Sequence, residues 1–107
     1  MHEIRHYLSE TGLDHYQEWL DHLKDRTAKA RITVRVNRLA AGAYGDCKPL
    51  SNGVWELRVD HGPGYRVYYA QAGKKLVLLL LGGDKRQQQT DIEKALRYWS
   101  AYQKRTP

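Results

Sequence analysis

The chain has 107 residues, 41% of them apolar and 28% charged, with a formal charge of +6; that length suits one domain with one core and excludes two. Its single cysteine, Cys47, excludes an internal disulfide and a cysteine-based metal site, which suits a reducing compartment. The longest apolar run, Leu76 to Leu81, is far short of a membrane span, and MHEIRHYLSE at the start has no apolar targeting core, so a cytoplasmic protein without membrane attachment is expected. The positive balance points to an anionic partner: nucleic acid, an acidic protein or a membrane surface.

In chain order, Ile4, His6 and Leu8 recur with period two and predict a first strand over residues 2–8. Thr11 can cap a helix, with Asp14 three residues on, and Leu13, Tyr16, Leu20 and Leu23 follow at helical spacing. Between Asp25 and Gly42 the alternation of ITVRV competes with a helical stripe of Ala28, Ile32, Val36 and Leu39. Helix is the better reading, because the stripe outruns the β-branched patch and Gly42 stands where a helix ends. Arg31, Arg35 and Arg38 then share another face, which reads most plainly as solvated. Residues 43–53 read as loop. VWELRVD, YRVYYAQ and LVLLLL follow as three strands, joined by HGPG and AGKK turns. The unbroken apolar run of the last predicts burial on both faces. Ile92, Ala95, Leu96, Trp99 and Tyr102 predict a closing amphipathic helix. Its start is open between Asp84, which would put Lys85 and Arg86 in the first turn, and Thr90. The expectation is one α+β domain over residues 1–107, with helices on one face of the sheet.

Alternation sorts the strand residues by face. Trp55, Leu57 and Val59 belong to the face the helices cover; Glu56 and Arg58, with Arg66 and Tyr68 from the next strand, are expected on an open face bordered by His61, Lys85 and Arg86. Metal-free phosphodiester cleavage needs such a set: a base, donors for the charge growing on phosphate, and an acid for the leaving oxygen. The plainer alternative is a surface ion pair of Glu56 with Arg58 and a phenol that merely covers sheet. The histidines lack chelating spacing, and no metal or cofactor is expected. His15 and His22 read as exposed.

WELRV, GPGYRVYYA and LLLLGGDKRQQQTDIEKA, in this order of elements, resemble the RelE/ParE superfamily of bacterial type II toxin-antitoxin toxins, especially the HigB-like "addiction module killer protein" branch. The resemblance implies the RelE-like, microbial RNase-like fold, β-α-α-β-β-β-α with a mainly antiparallel sheet. It also implies a ribosome-dependent mRNA endonuclease (mRNA interferase) that halts translation, or, by the ParE-like alternative, an inhibitor of DNA gyrase; a basic ribosome- or RNA-binding module that does not cut is the third reading. Carried onto this chain, Arg66 matches the family's transition-state arginine, Lys85 and Arg86 its basic residues after the last strand, and Arg58 a basic position on the strand before the hairpin. Ile92 stands near where some members place an acid-base group, so the base is open among Glu56, His61 and Tyr68. The implied partners are the ribosome, mRNA and a cognate antitoxin, often of helix-turn-helix type. An acidic or amphipathic antitoxin segment is expected over the cationic face or beside the last helix.

Overall fold

The computed structural model describes residues 2–105. Its elements are β1 (Glu3–His6), α1 (His15–His22), α2 (Arg26–Ala40), β2 (Cys47–Pro49), β3 (Val54–Val59), β4 (Tyr65–Ala72) and β5 (Leu76–Asp84), then a single 3-10 turn (Lys85–Gln87) running into α3 (Gln88–Arg105). The five strands form one mixed sheet in the order β1-β5-β4-β3-β2, with β1 parallel to β5 and the other pairs antiparallel.

The helical reading of residues 26–40 holds. Ala28, Ile32, Val36 and Leu39 are all buried, and burying Ile32, Val36 and Leu39 contributes about 1.5–3 kcal/mol each. That outweighs the roughly 0.7 kcal/mol or less by which each β-branched residue disfavours helix. Asp25 caps the start by accepting from the Ala28 N–H. Gly42, with φ of 77°, ends the helix: its N–H donates to Leu39 and that of Ala43 to Arg38, the paired bonds of a Schellman turn.

The start of α1 differs from expectation. Asp14, not Thr11, is the cap: its Oδ1 accepts from the Gln17 N–H while Oδ2 pairs with His6 Nδ1 at 2.7 Å, tying α1 to β1. Residues 9–13 close a tight loop, with Gly12 at φ of 85°, so helical backbone cannot begin earlier. Leu8 and Leu13 are exposed. Tyr7, on the other face of the strand from Ile4, is the buried residue, stacked on Tyr98 of α3.

Helices cover both faces of the sheet, not one. Tyr16 and the α2 stripe pack on Leu57, Val59, Val67, Tyr69, Val77 and Leu79. On the opposite face, Ala95 and Trp99 of α3 pack with Val54, Tyr68, Ala70, Leu78 and Leu80. The cause lies in β5, whose leucines point both ways and need apolar cover on each side. The Trp99 indole N–H also donates to the Asn52 carbonyl at 2.7 Å, tethering α3 to the turn before β3. Residues 47–49, expected as loop, form the short edge strand β2, where Pro49 removes a donor from the last paired position.

A bulge interrupts the pairing of β4 with β5. Tyr68 faces Leu81 while Tyr69 faces Leu79, leaving Leu80 as the extra residue. Leu80 and Leu81 therefore both join the α3 side, and beyond them Gly82 pairs with Val67 and Gly83 with Arg66.

Candidate active site

The antiparallel register of β3 and β4 sets Glu56 opposite Tyr68 and Arg58 opposite Arg66, all on the face that meets the start of α3. Two arginines directly opposed are unfavourable alone. Glu56 lies between their charges: Oε1 is 3.9 Å from Arg58 Nε and Oε2 is 3.8 Å from Arg66 Nε. Both separations exceed hydrogen-bond length, so these are Coulombic pairs. Gln88, at the head of α3, donates its side-chain amide to Glu56 Oε2 at 2.8 Å. Glu56 is 0% exposed, and the group of one carboxylate and two guanidiniums retains one positive charge.

The arginines are anchored at their far ends. Arg58 Nη2 meets Asp46 at 3.3 Å, and Arg66 Nη1 donates to the Gly64 carbonyl at 3.1 Å. Each keeps its Nε without a hydrogen-bond partner. Among the described residues the buried side-chain atoms so left are Glu56 Oε1, Arg58 Nε, Arg66 Nε, Tyr68 Oη and Asp91 Oδ2. Buried polar atoms are usually paired. Here those without partners gather where β3, β4 and the first turn of α3 meet, offering three donors and two acceptors.

Burial, with the Glu56 carboxylate next, pushes the Tyr68 phenol far above its ordinary value, so it stays a neutral donor. Asp91 is also buried, which raises its carboxyl above the usual range; Asp84 adds to the effect and Lys94 opposes it. Its carboxylate fills the space over Gly83, where any Cβ would overlap Oδ2. Gly82 serves the other face, where a Cβ would overlap the Trp19 ring. The GGD segment thus lets α1 and α3 approach β5 from opposite sides.

The expected residues are distributed as follows. Glu56, Arg58, Arg66 and Tyr68 come together, but Glu56 and Tyr68 are wholly buried rather than displayed on an open face, because α3 covers them. Lys85 stands at the rim: its N–H donates to the Gly64 carbonyl, and its Cβ and Arg66 Nη1 both lie beside the Gly64 Cα. Asp84 caps the 3-10 turn, as the earlier of the two expected starts requires, by accepting from the Arg86 N–H. Arg86 is exposed and committed to an ion pair with Asp84 at 2.8 Å. His61 does not join the group. It bonds Asp25 Oδ2 at 3.0 Å and stacks on Tyr65, whose ring belongs to the α1–α2 core. Its loop carries it to the other face. His15, expected exposed, is half-buried and stacks on Tyr98 with centroids 4.4 Å apart.

Gln88 and Asp91 were not foreseen. Both lie on the stripe that continues through Ala95 and Trp99, at positions 88, 91, 95 and 99; extending the apolar stripe back by one turn marks an acid and an amide on the buried side of α3. Among the described residues no group of three or more His, Cys, Asp or Glu side chains is placed to hold a metal, and no helix is long and apolar enough to cross a membrane.

The family model described as "Phage derived protein Gp49-like (DUF891)" matches residues 18–99, which run from within α1 through most of α3 and include every residue of the site. An uncharacterized protein of Haemophilus influenzae (strain ATCC 51907 / DSM 11121 / KW20 / Rd) is 48% identical over 80 residues, covering 75% of this chain and 81% of that protein.

Proposed function

The chain belongs to the Gp49-like family, which is toxin-like and RelE/ParE-related, and from that premise we propose that it is the toxin of a type II toxin-antitoxin module, acting in the cytoplasm as a metal-independent mRNA endonuclease on the ribosome. Within that superfamily, GPGYRVYYA and GGDK support the HigB-like branch, with residues 1–107 as a single toxin domain. Its partners on this reading are the ribosome with its mRNA and a cognate antitoxin of helix-turn-helix type.

The observation that carries the reading is the gathering of unpartnered donors around a buried carboxylate, with a net positive charge, at Glu56, Arg58, Arg66 and Tyr68. Phosphodiester cleavage by the neighbouring 2′-hydroxyl asks for these groups. Glu56 takes the hydroxyl proton through Oε1 as the oxygen attacks phosphorus. Arg58 and Arg66 turn their Nε donors to the phosphate oxygens, and the neutral Tyr68 phenol adds a third. Asp91, which holds its proton to higher pH, returns one to the departing 5′-oxygen, leaving a 2′,3′-cyclic phosphate and a 5′-hydroxyl. Lys85 holds the RNA backbone at the rim, and Arg86 does so once drawn from Asp84. Gln88 must leave Glu56 before the substrate reaches it, so binding and opening are one event.

Purified protein added to a translating extract should generate new 5′ ends within messages engaged by ribosomes, read by primer extension. Intact message with normal protein synthesis sinks the reading. Halted synthesis with intact message transfers it to a binding module that does not cut, and loss of DNA supercoiling with intact message transfers it to gyrase.

A further inference from the structure

On the far side of the sheet from Glu56, the outward face of α2 and the end of β3 enclose a groove of about 390 Å³. Its floor is Ala30, Val34 and Val59, and its rim is Arg31, Arg35, Arg38 and Asp60. Val34 is 47% exposed, on the helix face opposite the buried stripe. Arg31, Val34 and Arg38 are three and four residues apart and stand in one row.

The three arginines are not equivalent. Arg35 is committed within the fold: Nη1 donates to the Arg58 carbonyl at 2.8 Å, and Nη2 to the carbonyls of Tyr44 at 3.3 Å and Asp46 at 3.4 Å. Arg31 and Arg38 make no side-chain hydrogen bond or ion pair among the described residues. Two uncommitted guanidiniums therefore flank an exposed valine, and each offers a planar fork suited to a carboxylate.

Charge alone suits RNA as well as an acidic protein, but the floor separates them. Single strands are held by aromatic rings on which bases stack, and no aromatic residue lines this groove. An apolar floor between forked donors suits instead a chain that alternates apolar side chains with carboxylates. We propose that the groove along Arg31, Val34 and Arg38 is the docking surface for an acidic, amphipathic segment of a partner protein, which sets an apolar side chain on Val34 and carboxylates on Arg31 and Arg38. The inference goes beyond the cleavage reading and does not require it, since the groove and Glu56 occupy opposite faces of the sheet.

The test is a display library of random peptides as long as α2, 15 residues, selected on the full chain and counter-selected on the exposed-face variant Arg31→Glu/Val34→Glu/Arg38→Glu. The expected result is enrichment of peptides with carboxylates flanking apolar residues, whose synthetic forms bind the variant at least about tenfold more weakly. Unchanged melting of the variant shows that the loss is local. Enrichment without an acidic-apolar pattern, or equal binding to both proteins, overturns the proposal. So does a matching loss of affinity for a single-stranded RNA oligonucleotide, which would assign the groove to nucleic acid. Binding is read without ribosomes, so failure here and failure of RNA cleavage are distinguishable.

Discussion

Arg58 and Arg66 face one another across β3 and β4, and each turns its Nε toward a different oxygen of the same buried carboxylate, Glu56. The two cations are tolerable at this range because Glu56 lies between them, and Glu56 is tolerable in the interior because they do. Structure and proposed chemistry are therefore coupled in these three side chains.

Arg66→Ala should reduce message cleavage by a factor on the order of a hundred or more, as for loss of one preorganised donor. It should also destabilise the fold by about 1–3 kcal/mol, since Glu56 loses a counter-charge while still buried. The two effects separate in a cycle. Urea unfolding of Arg66→Ala, Glu56→Gln and the double variant should show the pair costing less together than the sum of the singles, by about 1 kcal/mol. Strict additivity would remove the coupling.

Tyr68→Phe tests the phenol without disturbing the packing. The hydroxyl has no partner in the fold, so its removal should leave stability unchanged or raise it by about 1 kcal/mol. Cleavage should nevertheless fall. A variant as active as the parent would reduce Tyr68 to a core residue.

Asp91 gives a pH signature. Its folded-state value is raised above 3.8, burial being the main cause. The charged form is therefore penalised at every pH above that raised value. The penalty lessens as pH falls through it and vanishes below 3.8, where folded and unfolded chains are both protonated. Asp91→Asn should accordingly stabilise the protein at pH 7 by on the order of 1 kcal/mol, with the gain fading in acid. Thermal melts of both proteins across that range check the sign. A gain that grows toward low pH would contradict it.

Gly83→Ala should cost about 1–3 kcal/mol or more, because the new methyl overlaps the Asp91 carboxylate. Combining it with Asp91→Ala should recover roughly 1 kcal/mol or more of that loss. Denaturant midpoints of the four proteins measure the recovery, and an unchanged cost would mean that the obstacle is backbone.

The sequence made α2 legible because four buried residues at helical spacing leave one consistent face, and it made the two-sided burial of β5 legible because six apolar residues run without a break. The same observation on β5 also required a helix on the second face, a step the alternation of β3 obscured by making that face look polar. Glu56 and Tyr68 are polar by type and buried by position, and only the path of α3 distinguishes the two. His61 lies next to the site residues in sequence, but its loop turns it toward Asp25. Asp91 went unseen because an acid within an apolar stripe reads as its boundary. Three residues of β2 are too few for period two to register.

The extra residue at Leu80 also decides which way everything that follows it on β5 faces. A strand of the same length paired without the bulge would present Gly82 to Asp91 and Gly83 to Trp19, and would turn Asp84 toward the opposite side of the sheet. A chain shortened by that one leucine would instead pair regularly and keep Gly82 opposite Val67 and Gly83 opposite Arg66, each facing as it does now. Homologues one residue shorter at this point can therefore be aligned through GGD, with the gap placed at the bulge.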